Sequence, residues 1–187
     1  MRPLGPVSYR IDSSDRLVEF GGHWTAFARD NGAPELDPVA LTGHLLWDHI
    51  ADSTTIALYQ AMLERIRRGG APIQFQFRCD APDRRRLLAM DISAGSNGDV
   101  WFATSTIAET PRPSVTALEP GTRRGPDRLN VCAWCKRACL DADRWVEIEA
   151  AVDALALFDG AEMPLLSHGV CPACLETLHR LIDDSAG

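Results

Sequence analysis

The sequence lacks the features that would place it in or across a membrane. No segment approaches the ~18 uninterrupted apolar residues of a spanning helix. The N-terminus, Met1 to Pro6, has no charged start followed by an apolar stretch of ~7–15 residues. We therefore expect a cytoplasmic protein without a membrane partner. In a reducing compartment, its six cysteines favour metal binding over disulfide bonds.

Positive charge is also in short supply. The chain has 19 Lys and Arg against 26 Asp and Glu, a formal net charge of −7, so an acidic surface should repel phosphate backbones and nucleic acid is not an expected partner. The short basic runs at 84–86 and 123–128 are interpreted as a solvated turn and a solvated linker.

Sequence features of common signalling enzymes are missing as well. There is no GxxxxGK[ST] phosphate-binding loop, and the residues after 110 leave no room for the ATP-binding domain of a histidine kinase. We therefore expect no catalysis by this chain, and expect any output to pass through a partner protein.

The length of 187 residues accommodates one ordinary domain and a small metal-stapled module. Residues 7–110 have the pattern of a compact α+β domain. Residues 111–128 are rich in proline and glycine, as is typical of a linker with little tendency to form helix or strand. Residues 129–183 contain the clustered cysteines.

Hydrophobic periodicity orders the first region as two strands, helices and three strands. An apolar face from Ile56 to Ile66, with Asp52 as a possible N-cap, predicts the longest helix, and a shorter one should begin at Trp24. Cys79 should face inward with Phe75 and Phe77, as a core residue or a pocket wall. The predicted strands are 7–12, 17–20, 73–79, 87–92 and 100–107.

This element order resembles a PAS domain, a five-stranded sensory fold. The Asp12-to-Asp15 turn and the segment Gly43-His44-Leu45-Leu46-Trp47-Asp48, which precedes the long helix, carry the same resemblance. It implies a five-stranded antiparallel sheet with helices on one face, a binding site for a small ligand or a partner, and a homodimer formed through this domain.

The resemblance leaves open whether the domain holds a cofactor. Light-sensing flavin domains of this class carry a cysteine in the region matching Gly43 to Asp48, and this chain has none there, so covalent flavin photochemistry is not expected. Haem would need an axial ligand, for which His44, His49 and His23 are the candidates. A haem- or flavin-binding redox or gas sensor is therefore an alternative function.

The second region contains two CxxC pairs, Cys132-Ala-Trp-Cys135 and Cys171-Pro-Ala-Cys174. Each pair presents two thiolates from one tight turn, and two such turns can surround Zn²⁺ tetrahedrally. The 35-residue spacer, 136–170, exceeds the usual ~15–20 residues and is predicted to contain a helix from Ala142 to about Phe158. The spacing differs from those of ferredoxins, which ranks an iron–sulfur cluster well below zinc.

Four cysteine ligands would leave no position for water or substrate, so the zinc is predicted to be structural. Two further residues lie near the ligands in sequence. His168 is an alternative ligand, although a position beside the metal is the preferred prediction. Cys139 is interpreted as a small buried residue, or alternatively as a spare thiol that could form a disulfide on oxidation.

This region also resembles a known tail. Cys132-Ala-Trp-Cys135-Lys136, then Trp145, then 167–174 (Ser-His-Gly-Val-Cys-Pro-Ala-Cys) match the CxWCK…W…SHGxCPxC segment that follows PAS or receiver domains in bacterial signalling proteins. The resemblance implies a sensory context and no particular reaction. The alternatives are a thiol-based redox enzyme or switch that uses the CxxC pairs, and a nucleic-acid adaptor, which the acidic composition disfavours.

Overall fold

The computed structural model describes residues 7–119, 121–141, 143–155 and 162–183. The N-terminal segment Met1 to Pro6, considered above as a possible signal, lies outside them. The first region is α+β, with one five-stranded antiparallel sheet in the order β2-β1-β5-β4-β3. Its strands are β1 (Val7–Ile11), β2 (Leu17–Gly22), β3 (Ile73–Arg78), β4 (Arg84–Ala94) and β5 (Val100–Pro111).

Three helices lie between β2 and β3: α1 (Trp24–Asp30), α2 (Pro38–Leu41) and α3 (Ser53–Arg67). The Asp52 carboxylate accepts a hydrogen bond from the backbone N–H of Thr55 (2.7 Å) and caps α3, as predicted. Buried α3 residues, among them Leu58, Met62 and Ile66, pack in one core with Ile92 of β4 and with other residues of the sheet. The apolar stripe of α3 therefore belongs to the core.

Strand β4 begins earlier than predicted. Residues 84–86 were expected in a solvated turn, but they pair with residues 109–111 of β5. Arg86 is only 2% exposed; its Nε donates to the Cys79 carbonyl (2.8 Å) and its guanidinium lies over the ring of Phe27. This part of the solvated-turn interpretation was wrong, because the arginine finds carbonyl and aromatic partners that periodicity cannot show.

The second region forms a four-stranded sheet in the order β8-β7-β6-β9. Its elements are β6 (Arg124–Cys132), β7 (Ala138–Asp141), β8 (Arg144–Val146), α4 (Ile148–Ala154), β9 (Met163–Gly169) and α5 (Pro172–Asp183). The helix predicted from Ala142 starts only at Ile148, because the hairpin strand β8 occupies the preceding residues. Ala142 and Phe158, the predicted limits of that helix, lie outside the described residues.

The proline- and glycine-rich segment 111–128 contains ordered structure. Ala117 is fully buried in a small core with α4 and the second sheet. Strand β6 begins at Arg124, which pairs with Met163 of β9. The local composition that indicated a linker is thus overridden by pairing with a strand about forty residues away.

The two sheets share apolar contacts. The core of the first sheet includes Cys132, Trp134, Cys171 and Leu178, and α5 packs against α3. The cysteine region therefore lies on the first region's core. Within the described residues, no helix is both long and apolar enough to cross a membrane.

Candidate metal centre

The two CxxC turns meet because the strands that lead into them are parallel neighbours. In the register between β6 and β9, Val131 lies opposite His168 and Cys132 opposite Gly169. Both strands therefore end, and both CxxC turns begin, at the same end of the sheet. Parallel neighbours need a crossover of a dozen residues or more. The long spacer between the pairs is that crossover, and it contains β7, β8 and α4.

The first turn is closed by backbone hydrogen bonds on both sides. The N–H of Cys132 donates to the Arg137 carbonyl (2.8 Å), and the N–H of Lys136 donates back to the Cys132 carbonyl (3.0 Å). Lys136 has a φ of 59°, and its ammonium donates to the Ala133 carbonyl (2.9 Å). The tight turn points both thiols to one side.

The second turn leads into a helix. The carbonyl of Cys171 accepts the N–H of Leu175 (2.9 Å) at the start of α5, and Pro172 occupies the first helical position, where its missing N–H costs nothing. The partial positive charge of a helix N-terminus stabilises thiolates. The N–H of Cys171 also donates to the Cys132 sulfur (3.4 Å), which joins the two turns.

The four sulfurs have the spacing of a metal site. All lie within 4.8 Å of one another, and the sulfurs of Cys135 and Cys171 are 3.7 Å apart. A tetrahedral zinc site with Zn–S bonds of about 2.3 Å has S–S edges of about 3.8 Å. Cys132 and Cys171 are buried and the other two are half-buried. The donor set fits a metal ion that prefers soft ligands.

Proton sharing among these thiols is unequal. Hydrogen bonds from Cys135 and Cys174 hold the pKa of Cys132 well below its usual range. Donating to Cys132 raises the pKa of Cys135 to about 11, and donating to Cys132 and Cys135 raises the pKa of Cys174. A bound cation would replace the shared protons, so the affinity of the site should fall in acid.

The same distribution bears on a thiol reaction. A reactive thiolate must be accessible, yet the thiol with the lowered pKa, Cys132, is fully buried. The more accessible Cys135 has a raised pKa. Within each CxxC pair the first cysteine is buried and the second is half-buried.

Neither neighbouring candidate belongs to the cluster of close sulfurs. His168 is exposed on β9, and its pKa is lowered by desolvation and by Lys136, against the opposing effect of Asp52. The thiol of Cys139 donates to the Asp141 carbonyl (3.1 Å), and its pKa is raised by burial and by Asp141 and Asp143.

Trp134, inside the first CxxC turn, is a residue whose role the sequence reasoning missed. It is 6% exposed, and its ring centroid lies 5.7 Å from that of Tyr59 and 6.0 Å from that of Phe75. Its carbonyl accepts the N–H of Arg78 at the end of β3 (2.7 Å). An indole within a tight turn could have revealed this, because so large a ring needs a neighbouring core to bury it.

A second missed feature is a set of ion pairs between the two regions. Arg112 is almost fully buried and contacts Asp80 (3.3 Å) and Glu149 of α4 (2.9 Å). Arg78 contacts Glu147 (2.7 Å). Arg85 also contacts Glu149 (2.9 Å). The inter-region ion cluster is our name for these six residues: Arg78, Asp80, Arg85, Arg112, Glu147 and Glu149. Nothing in the local sequence marks them, since the partners are 37 and 69 residues apart.

The first region contains a partly open cavity of about 180 Å³ between the sheet and α1. Cys79 lines it, which confirms the predicted pocket wall. The other lining residues are mostly apolar, with Asn31 and Thr104 as polar exceptions: Val7, Tyr9, Trp24, Phe27, Ala28, Ala33, Leu36, Phe77 and Leu88.

The three histidines considered as haem ligands lie elsewhere. His23, His44 and His49 are exposed, and none of them lines the cavity. The rings of His44 and His49 stack on each other with centroids 5.7 Å apart. The structure does not bring the candidate axial ligands to the cavity.

No model of a known protein family matches the chain, and a search of curated proteins found no match. The sequence and the geometry described above are therefore the basis for assigning a function.

Proposed function

We propose that the chain is a bacterial sensory or interaction protein, in which a PAS-like domain is coupled to a structural zinc module and signals through a partner chain. The order of elements supports the PAS-like assignment: two strands are followed by three α-helices and then by three strands. All five strands belong to one antiparallel sheet. The proposal assigns no catalytic residue.

A continuous chain of aromatic rings between the cavity and the cysteine turn carries the proposal. Phe77 lines the cavity and lies 6.2 Å from Phe75, centroid to centroid, and Phe75 contacts Trp134. A second ring of the cavity wall, that of Tyr9, stacks on Phe102 with ring centroids 4.5 Å apart. Because packed rings cannot shift independently, a molecule in the cavity would move the zinc turn.

The ligand set favours zinc as the metal. Four thiolates are typical of structural zinc sites. Cys132, Cys135, Cys171 and Cys174 would supply all four bonds, which leaves none for a substrate. Holding both turns fixed, the metal would anchor Trp134 and the first turn of α5 against the sheet.

A small apolar molecule is the proposed cavity ligand. A preformed apolar cavity of about 150 Å³ can take up benzene or xenon, and this one is slightly larger, at about 180 Å³. None of the described residues that line the cavity is charged, so a charged ligand would lose its hydration without gaining a partner of opposite charge.

Two alternatives have weaker support. For haem or flavin sensing, the described part of the cavity wall offers no histidine. The cavity volume also lies below the ~300–1,000 Å³ that is usual for cofactor pockets. A thiol-based enzyme would need an accessible thiolate, whereas Cys132 and Cys171 are buried and the four sulfurs lie within 4.8 Å of one another, as in a metal site. The homodimer remains a prediction that sedimentation can test; the half-buried Trp24, a candidate contact, donates its ring N–H to the Leu36 carbonyl (2.7 Å).

The proposal is tested first by metal analysis and an absorption spectrum of protein purified without added metal. We expect one zinc per chain and no band above the aromatic absorption. A Soret or flavin band would replace the proposal with the cofactor-binding alternative. Protein that takes up no zinc under any condition would remove the structural-metal part.

Coupling is then tested by NMR with benzene as the probe. In the zinc-loaded protein, we expect benzene to shift the indole signal of Trp134 and to leave that of Trp101, on the opposite face of the sheet, in place. Ala28→Met, which fills the cavity, should abolish the shift. Equal shifts at both indoles, or a shift that survives Ala28→Met, would contradict coupling through the cavity.

A further inference from the structure

The outer edge of β3 is open along Gln74 and Gln76. Strand β3 is the last strand of its sheet. The N–H of Cys79 donates towards β4, to Arg86 (3.0 Å), whereas the N–H of Arg78 donates away from β4, to Trp134 (2.7 Å). Backbone groups alternate between the two sides of a strand, so those of Gln74 and Gln76 point outward with those of Arg78.

Nothing in the described part of the chain pairs with these outward groups. Both glutamines are exposed, and no hydrogen bond between described residues reaches their backbone N–H groups. Edge strands are commonly protected by charges, prolines or bulges. The segment 73–77 has none of these, and its register with β4 is regular. At the C-terminal end of this edge, the N–H of Arg78 already donates to the carbonyl of Trp134.

A groove of about 550 Å³ runs beside the open edge. Phe75 and Phe77 form one wall, and Leu178 of α5 belongs to the other. The Cys135 and Cys174 end of the groove is the metal site. Arg65 donates both to the Leu181 carbonyl (3.2 Å) and to the Ala71 carbonyl (3.4 Å), which places the end of α5 near the start of β3.

Strand β3 and helix α5 therefore run antiparallel on either side of the groove. An open edge strand beside a helix, with apolar side chains between them, is the arrangement that accepts an extended peptide as an additional strand. Main-chain hydrogen bonds would provide affinity, and the apolar wall would select every second side chain of the peptide.

Charge distinguishes a partner peptide from a second copy of this chain. Of the described residues that line the groove, none is Asp or Glu, whereas Arg78 and Arg180 are present. Arg78 is neutralised by Asp80 and Glu147. Arg180 has an exposed contact with Glu176 at 3.9 Å, a pair worth ~0–1 kcal/mol, so it can attract another carboxylate.

Four thiolates around a divalent cation would make the opposite end of the groove negative. A carboxylate of the occupant would therefore lie at the Arg180 end. A second copy would bring its whole net charge of −7 to the groove, whereas a short acidic segment brings only the carboxylate that faces Arg180. The candidate dimer contact at Trp24 does not line this groove.

We infer that β3 and α5 form a docking groove for an extended segment of a partner protein. The segment adds a strand to β3 at Gln74 and Gln76, packs alternate apolar side chains against Phe75 and Phe77, and places an acidic side chain beside Arg180. This inference rests on the proposed function, because it names the site through which that function reaches its partner.

The test is selection of peptides from a displayed library of random octapeptides on the full, zinc-loaded protein. We expect enriched peptides to have apolar residues at alternate positions and at least one acidic residue. Gln76→Pro removes the outward N–H without removing a bond to β4 and should weaken binding about tenfold or more. Gln76→Thr, the matched control, keeps the N–H and should bind as the wild type does.

Two further variants test the other wall. Thr177→Trp, at an exposed position of α5, should block the groove without altering β3, and it decides the question if Gln76→Pro fails to fold or to bind zinc. Arg180→Glu should reverse the charge preference of the selected peptides. Binding that is insensitive to both Gln76→Pro and Thr177→Trp would overturn the inference.

A library that yields no enriched peptide would also overturn it. So would a protein that self-associates in sedimentation and becomes monomeric as Gln76→Pro, because the occupant would then be a second copy. These results are separable from failure of the proposed function. A protein that binds one zinc and shows the benzene-dependent Trp134 shift, but captures no peptide, loses only the docking groove.

Discussion

The two regions of the chain hold their structure by different means. In residues 7–111, long paired strands and α3 enclose residues with no exposed surface, such as Ile11, Ile92 and Phe102. In residues 112–183, strands β7 and β8 have only four and three residues, and their core is small. The first region can rely on apolar burial, whereas we expect the second to depend on the metal proposed at its four cysteines.

The difference also shows why the regions are not independent. The two CxxC turns meet at the four sulfurs. Trp134 of the first turn and Leu178 of α5 complete the core of the first region. A metal bound there would stabilise its own module and also the contact of that module with the first sheet. Loss of the metal should therefore lower the stability of the second region most and that of the first region less.

The largest expected effect comes from removing a metal ligand. Cys132→Ser should lose the bound metal and, with it, much of the folding energy of the module, for which structural zinc can supply ~10–16 kcal/mol in small peptides. We expect NMR signals of β6, β9 and α5 to collapse, while those of β1, β4 and α3 persist at reduced stability. Metal analysis and NMR spectra measure both effects.

The matched control is Cys139→Ser. Cys139 lies outside the group of four close sulfurs, so this variant should keep one metal ion and change stability by less than about 0.5 kcal/mol. Full metal content in Cys132→Ser, or metal loss in Cys139→Ser, would show that the ligand set is wrong.

An intermediate effect should follow from separating the regions without touching a ligand. Trp134→Ala empties a buried site between Tyr59 and Phe75 and should cost about 3–5 kcal/mol, with the metal still bound. Urea unfolding should be monitored by NMR signals of each region separately. We expect the two unfolding midpoints to differ more in Trp134→Ala than in the wild type. Trp101→Ala, on the half-exposed outer face, should cost about 1 kcal/mol. A single unchanged transition in Trp134→Ala would mean that the indole does not join the regions.

The smallest effect concerns the inter-region ion cluster. Burial favours the neutral form of Glu149, but its carboxylate accepts hydrogen bonds from its own backbone N–H and from Arg85 and Arg112, and these lower its pKa below the ordinary value of 4.5. A lowered folded-state pKa adds stability above pH 4.5 that disappears as the pH falls through the folded value. Glu149→Gln should therefore cost about 1 kcal/mol at pH 7, between the values for exposed and buried pairs.

The check is the difference in unfolding free energy between wild type and Glu149→Gln, measured from pH 7 down to pH 3. It should shrink towards zero in acid. Glu176→Gln, which removes the exposed partner of Arg180, should show almost no difference at any of these pH values. A Glu149 difference that stays constant with pH would assign it to packing instead of charge.

Local pattern predicted the elements whose stability is mostly local. Helix α3 was predicted because its apolar spacing and the Asp52 cap are read within one segment, and the structure confirms both. Strand β5 was predicted to end near Ile107, yet it continues to Pro111, because residues 109–111 pair with the arginines of β4. The false start of α4 has the same origin, since β8 exists only as the partner of β7.

The residue sequence was sufficient to predict that Cys132, Cys135, Cys171 and Cys174 come together and to order the strands and helices of the first region, because spacing and periodicity are properties of neighbouring residues. Tertiary structure decided that β6 and β9 run side by side, that Trp134 enters the first region's core, and that β3 keeps an open edge. Those outcomes depend on which distant segments exchange hydrogen bonds and bury surface together, and no local window of sequence contains both partners.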